Sequence, residues 1–196
     1  VPNKSGNPWT ILRSTSTYDN PWISVTEHEV LNPAGKPGVY GVVHIKSVAT
    51  GVVAVDEEGC ITLVGQYRFP LRQYSWEIPE GGGRAGDTPL EAAQRELAEE
   101  TGLEAGEWLP LARLHLSNSV TDEVAHGFLA WDLTQGMATP EETEVLQLRR
   151  VPFREAYDMA MSGEITDAIA VACILKVRIM ALEGTLPEPL ASLLTR

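Results

Sequence analysis

Between residues 88 and 103 the polar and apolar positions repeat with the period of a helix, and both ends of that helix are marked. Leu90, Ala93 and Leu97 share one face at roughly 100° per residue, and Glu96, Glu99 and Glu100 share a neighbouring arc of about 100°. Thr88 is placed as an N-cap, and Pro89 suits the first helical position, where its missing N–H costs nothing. Glu91, three after the cap, completes a capping box. Gly102 supplies the left-handed residue that ends the helix. The pattern predicts a helix over 89–101.

Elsewhere the period shortens. Residues 9–13, 23–31 and 38–46 carry β-favouring pieces between turn-forming sequences, with the partial alternation of a strand packed on one side. Stronger strands are expected at 48–55 and 60–68, joined by Asp56-Glu57-Glu58-Gly59, which has hairpin-loop composition. Beyond the helix, 108–116 and 124–133 read as an antiparallel pair around the polar loop 117–123, and 145–153 as a last strand. A short helix over 154–162 ends at Gly163. Thr166 is expected to cap a longer one reaching about 182, with Ile169, Cys173, Val177 and Met180 facing the core. Mixed strands, one central helix and a terminal helix pair predict an α/β sandwich over 48–196, preceded by a small antiparallel β-meander in 1–47. Three strands of that size are marginal alone, so the meander is expected to lean on the main domain or on another subunit.

A chain of 196 residues with 43% hydrophobic positions is enough for one packed domain with a small appendage. Cys60 and Cys173 stand far apart in apolar surroundings without CxxC spacing, so buried free thiols and a reducing, cytoplasmic setting are expected. The formal charge of −12 repels nucleic acid and anionic membranes, and an anionic substrate must be met by local arginines and metal. Residues 1–10 lack the apolar core of a targeting signal. The longest apolar run, 168–182, is interrupted by Lys176 and Arg178 and is too short and charged for a bilayer span. A soluble protein is expected.

Three carboxylates on one arc need a positive counterpart. Like charges at i,i+3 and i,i+4 repel, and the C-terminal turn is the end where the helix dipole also disfavours anions. Arg95, four before Glu99 and four after Glu91, meets part of the need. A hard divalent cation, which takes carboxylate oxygens, backbone carbonyls and water, is the alternative to a plain solvated acidic face.

Gly81, then five residues, Asp87, then seven, then Arg95-Glu96-Leu97-Ala98-Glu99-Glu100-Thr101-Gly102-Leu103, resemble the Nudix box, G-x5-E-x7-R-E-U-x-E-E-x-G-U with U aliphatic. Asp87 stands where the family has Glu, in a position that braces the loop against the helix. The resemblance implies a Nudix-type α/β/α sandwich with a mixed sheet, hydrolysing a diphosphate linked to another moiety. Glu96, Glu99, Glu100 and the backbone carbonyl of Glu80 would be ligands for Mg²⁺ or Mn²⁺.

Gln66-Tyr67-Arg68 and Glu77-Ile78-Pro79-Glu80-Gly81 resemble the Q-x-R and E-x-P-A-G segments of the ADP-ribose pyrophosphatase branch, with Glu80 replacing the small residue. They imply a phosphate contact at Arg68, the alternative being a rim salt bridge, with Arg72 second. Glu77 would touch a substrate hydroxyl or a metal, or brace the loop by a hydrogen bond, and Arg84 is read as a surface charge of the loop, with a phosphate contact as the alternative. In the loop 117–123 the branch carries a carboxylate near the attacking water. Glu123 is the match, with Asp122 second, and Glu99 or Glu100 would share the catalytic work. Ser117-Asn118-Ser119 stands where ADP-ribose enzymes usually have S-P-G, which leaves the sugar nucleotide open. Glu142 and Glu144 are read as surface charge in preference to a lid contribution.

The resemblance to nucleotide-sugar Nudix enzymes, rather than any residue motif, implies a homodimer exchanging its N-terminal sheet to help form the base pocket. Its substrate would be a nucleoside diphosphate sugar, ADP-ribose first, cleaved to a nucleoside monophosphate and a sugar phosphate. A dinucleoside polyphosphate or nucleoside triphosphate pyrophosphohydrolase is the alternative, and a catalytically inactive nucleotide-binding module is a third.

Overall fold

The computed structural model describes residues 6–139 and 145–195, so Glu142 and Glu144 lie outside the described residues. The chain forms two compact units, one of residues 1–47 with 115–123 and one of 48–114 with 124–196.

In the first unit, β1 (Thr10–Asp19), β2 (Ile23–Leu31) and β3 (Pro37–Ile45) form an antiparallel meander. Side chains of the turn residues set its register. Asn20 Oδ1 accepts from the N–H groups of Trp22 and Ile23, and Asn32 Oδ1 from those of Ala34 and Lys36, with Gly35 at φ 75° between them. β1 runs past the expected end at residue 13, because its ladder with β2 continues to Asp19↔Ser24 through exposed polar residues that carry no burial pattern. The meander leans on the loop 115–123. Val43 N donates to Val120 O at 2.8 Å and Tyr40 Oη to Ser119 O at 2.7 Å.

In the second unit, β4 (Ala49–Ala54), β7 (Glu80–Gly82), β8 (Leu103–His115) and β9 (Val124–Gln135) make a mixed sheet in the order β7-β4-β9-β8, with β4 and β9 parallel. A second sheet orders β10 (Gln147–Pro152), β5 (Cys60–Arg68) and β6 (Gln73–Glu77), all antiparallel. The helices are α1 (Pro89–Thr101), α2 (Phe153–Ser162), α3 (Ala168–Leu182) and α4 (Leu190–Leu194).

Strand alternation explains the layering. Val52 and Ala54 of β4, with Phe128 and Ala130 of β9, pack against Ala93 and Leu97 of α1. On the opposite face Gly51 and Gly127, paired in register, admit α3: a Cβ at Gly51 would stand 2.7 Å from Ile169 Cγ2, and one at Gly127 would overlap Cys173 Sγ. The mixed sheet therefore lies between α1 and α3, giving the expected α/β/α sandwich.

Four details differ from expectation. The short strands β6 and β7 and the helix α4 lack the length to show a period, and β8 begins at Leu103 directly after the helix stop. Asp167, rather than Thr166, caps α3, its side chain accepting from Ala170 N at 2.7 Å. Leu90 is 36% exposed, and Ala92, Ala93, Leu97 and Thr101 form the buried face of α1. Among the described residues no helix is long and apolar enough to cross a membrane.

Replacing Gly127 by Ala forces α3 off the sheet or Cys173 off its rotamer. A loss of about 1–3 kcal/mol is expected, the usual cost of overpacking, and a shifted urea midpoint at unchanged slope checks it.

Candidate active site

Helix α1 is fixed at both ends by the residues read from the sequence. Thr88 Oγ1 accepts from Glu91 N, Glu91 Oε2 accepts from Thr88 N at 2.8 Å, and Gly102 closes the helix at φ 72°. This sets the angle at which Glu96, Glu99 and Glu100 leave the helix.

Each of the three has a defined neighbour. A Cβ at Gly81 would overlap the Glu96 carboxylate, so only glycine lets that carboxylate rest against the strand. Glu100 is 2% exposed and accepts from Glu80 N at 3.0 Å. Arg95 Nη1 donates to Glu96 Oε1 at 2.8 Å and to Glu99 Oε2 at 2.7 Å, and its Nη2 to Gly82 O at 2.7 Å. Burial opposes the charge of Arg95, but the hydrogen bond to Glu99 and the field of Glu96 hold its pKa above the ordinary value. Arg84, expected as a loop-surface charge, donates to Glu99 Oε1 at 2.9 Å. Asp87 accepts from Arg84 N at 2.8 Å and stands 3.6 Å from Arg95 Nη2, tying the glycine-rich loop to the helix.

A second charged group lies where β5, β6 and β7 meet. Arg68 Nε reaches both oxygens of Glu77 at 3.0 and 3.1 Å, and its Nη2 reaches Glu77 Oε2 at 2.5 Å and Glu80 Oε1 at 2.7 Å. Glu77 is 2% exposed, whereas the Arg68 side chain keeps 36% of its surface. Burial, then the nearby Asp167 and Glu77 carboxylates, push the Glu80 carboxyl well above the ordinary glutamate range. Among the described residues its buried Oε2 has no hydrogen-bond donor. Arg72 sits in the exposed turn after β5 at φ 53°, its N–H on Arg68 O at 2.9 Å.

Glu123 and Asp122 belong to the first unit. Asp122 is committed there, its Oδ2 2.8 Å from His44 Nδ1 and its Oδ1 accepting from Ile45 N at 3.0 Å. The main chain of Glu123 is held by Thr121 Oγ1 and Leu116 N.

Two participants escaped the sequence reading. Asp167 approaches Glu80 from α3, and only its suitability as an N-cap could have marked it. Thr50, 0% exposed, lies beside Gly81 in register with His126. A Thr alternating along a strand carries no signal of its own.

The NUDIX domain family matches residues 45–169. The chain is a Nudix hydrolase. Residues 9–43 of this Nudix protein match the nucleoside diphosphate sugar hydrolase N-terminal domain. It is 35% identical over 146 residues to an ADP-ribose pyrophosphatase of Mycobacterium tuberculosis, covering 72% of this chain and 70% of that one. It is also 35% identical over 122 residues to an ADP-ribose pyrophosphatase of Bacillus subtilis, covering 61% and 66%. The crystal structure of an ADP compounds hydrolase shares the fold at a TM-score of 0.80 and 24% identity, over 90% of this chain and 95% of that one.

The residues of this Nudix site suit a hard cation by donor chemistry: Glu96, Glu99, Glu100 and the adjoining carbonyls offer only oxygen. Among the described residues no three His, Cys, Asp or Glu side chains already stand as a metal cage. The Arg95 guanidinium takes one oxygen each from Glu96 and Glu99, and Glu100 is turned to the Glu80 N–H.

The His44 hydrogen bond, opposed by slight desolvation and aided by the Ile45 N–H, holds Asp122 below its ordinary pKa of 3.8. A depressed carboxyl contributes to holding the loop above its ordinary pKa, and that contribution is lost as pH falls through the folded value. Amide exchange at Ile45 is therefore expected to stay slow near neutrality and to lose protection below about pH 3.8, followed by NMR.

Proposed function

We propose that this Nudix hydrolase cleaves the diphosphate bond of a nucleoside diphosphate sugar, with ADP-ribose the first candidate, giving a nucleoside monophosphate and a sugar phosphate. The observation that carries the reading is the seat of Glu96 on Gly81 together with the Glu80 N–H on Glu100, which gathers hard donors at one end of α1. The match of residues 9–43 to the nucleoside diphosphate sugar hydrolase N-terminal domain supports the sugar nucleotide over a polyphosphate.

In this reading Glu96, Glu99, Glu100 and the Glu80 carbonyl hold Mg²⁺ or Mn²⁺. When bound, such an ion neutralises the diphosphate and makes a coordinated water more acidic. Arg68 meets a substrate phosphate through Nη1, outside its contacts with the two carboxylates, and Arg72 adds a second positive charge from the same turn. Glu77 keeps Arg68 from collapsing onto other partners, and Glu123 accepts the proton of the attacking water. The meander of 1–47 is assigned to homodimer formation and the base pocket, and the setting is cytoplasmic, in keeping with two buried free cysteines.

The test is a product assay with excess Mg²⁺ or Mn²⁺ on ADP-ribose, other ADP-, GDP- and UDP-sugars, diadenosine polyphosphates and nucleoside triphosphates. Monophosphate plus sugar phosphate from a nucleotide sugar is expected. Turnover of polyphosphates alone would replace the substrate class, and binding without turnover would make the chain a nucleotide-binding module. Glu100→Gln is expected to lower kcat by at least about a hundredfold while the melting temperature holds, because the ionised oxygen is removed and the Glu80 N–H keeps an acceptor.

A further inference from the structure

Glu80 replaces the small residue of the E-x-P-A-G pattern, and its side chain does something a small residue cannot. It takes a hydrogen bond from Arg68 Nη2 at 2.7 Å while its own N–H donates to Glu100 Oε2 at 3.0 Å. The side chains of Glu77 and Glu80 are 3% and 9% exposed, so water is a poor substitute for the guanidinium at either. An unbroken line of contacts thus runs from Glu77 through Arg68 and both ends of Glu80 to the innermost glutamate of α1.

We propose that Arg68 is a positioning residue for Glu100 and acts through Glu80. The guanidinium fixes the Glu80 side chain, the side chain fixes the main chain of that residue, and its N–H sets the plane of the Glu100 carboxylate. The inference rests on Glu96, Glu99 and Glu100 being cation ligands. It does not depend on the ionisation of Glu80, because Oε1 accepts from Nη2 in either protonation state. Partners that orient a ligating carboxylate govern metal affinity, and their loss costs about 10–100-fold.

The test measures Mn²⁺ affinity of the full chain without substrate, by electron paramagnetic resonance, for the unaltered protein, Arg68→Lys, Glu80→Ala and the double variant. Lys keeps the charge and loses the fork. Each single variant is expected to bind Mn²⁺ about tenfold more weakly, and the double no more weakly than the poorer single, since both cut one arm. An arginine that touches only phosphate would leave substrate-free Mn²⁺ affinity unchanged and raise KM, and that result overturns the proposal. Additive losses overturn the route through Glu80. If Arg68→Lys does not fold, Glu80→Ala decides alone. It leaves Arg68 paired with Glu77 and removes a buried carboxyl, so it folds, and unchanged Mn²⁺ affinity in it overturns the proposal. Mn²⁺ binding with the expected dependence but no turnover of any diphosphate upholds this inference and overturns the proposed function. No Mn²⁺ binding by the unaltered chain overturns both.

Discussion

The close seating of a carboxylate on a main chain without side chains is the constraint around which the site is built. Glu96 lies on Gly81 where a Cβ would stand, and this is possible only if α1 leaves the glycine-rich loop at a fixed angle. The Thr88–Glu91 capping box supplies that angle, and the packing of Ala93 and Leu97 on Val52 and Phe128 keeps it. Capping is worth about 1 kcal/mol and the buried apolar face several times more, so the core sets the helix and the cap sets its end.

Gathering acids in this way accumulates charge that burial would otherwise expel. Glu77 and Glu100 are each 2% exposed, and three arginines meet the acids from different sides, Arg84 on Glu99 among them. Arg95 spans Glu96, Glu99 and the Gly82 carbonyl, and Arg68 spans Glu77 and Glu80. A buried ion pair adds little net stability, but removing one partner strands the other, so each arginine is bound to its site more by the cost of its absence than by the strength of its attraction.

The helix of the site was legible because it is written in local rules: a cap, a capping box, a 3.6-residue period and a left-handed stop. The three glutamates could be placed on one arc from spacing alone. Arg68 was found as a candidate, but its grip on Glu80 was not, since β5 and β7 lie in different sheets and their side chains meet through a tertiary contact that no window of sequence contains. Asp167 was missed because Thr166 and Asp167 are adjacent candidates for one cap, and its approach to Glu80 is a tertiary contact. The polar half of β1 was missed because a strand exposed along its length has no burial period to display.

The paired glycines at the centre of the sheet give Cys173 an odd position. Gly51 and Gly127 leave a groove, and the sulfur fills the half of it above Gly127. Burial pushes this thiol up to about 12, so it stays protonated where its relatives on protein surfaces would ionise and react. Cys173 is thus a space-filling atom rather than a reagent. The layer that carries the acidic site is backed by a sulfur that alkylating agents and mild oxidants do not reach while the sheet is closed.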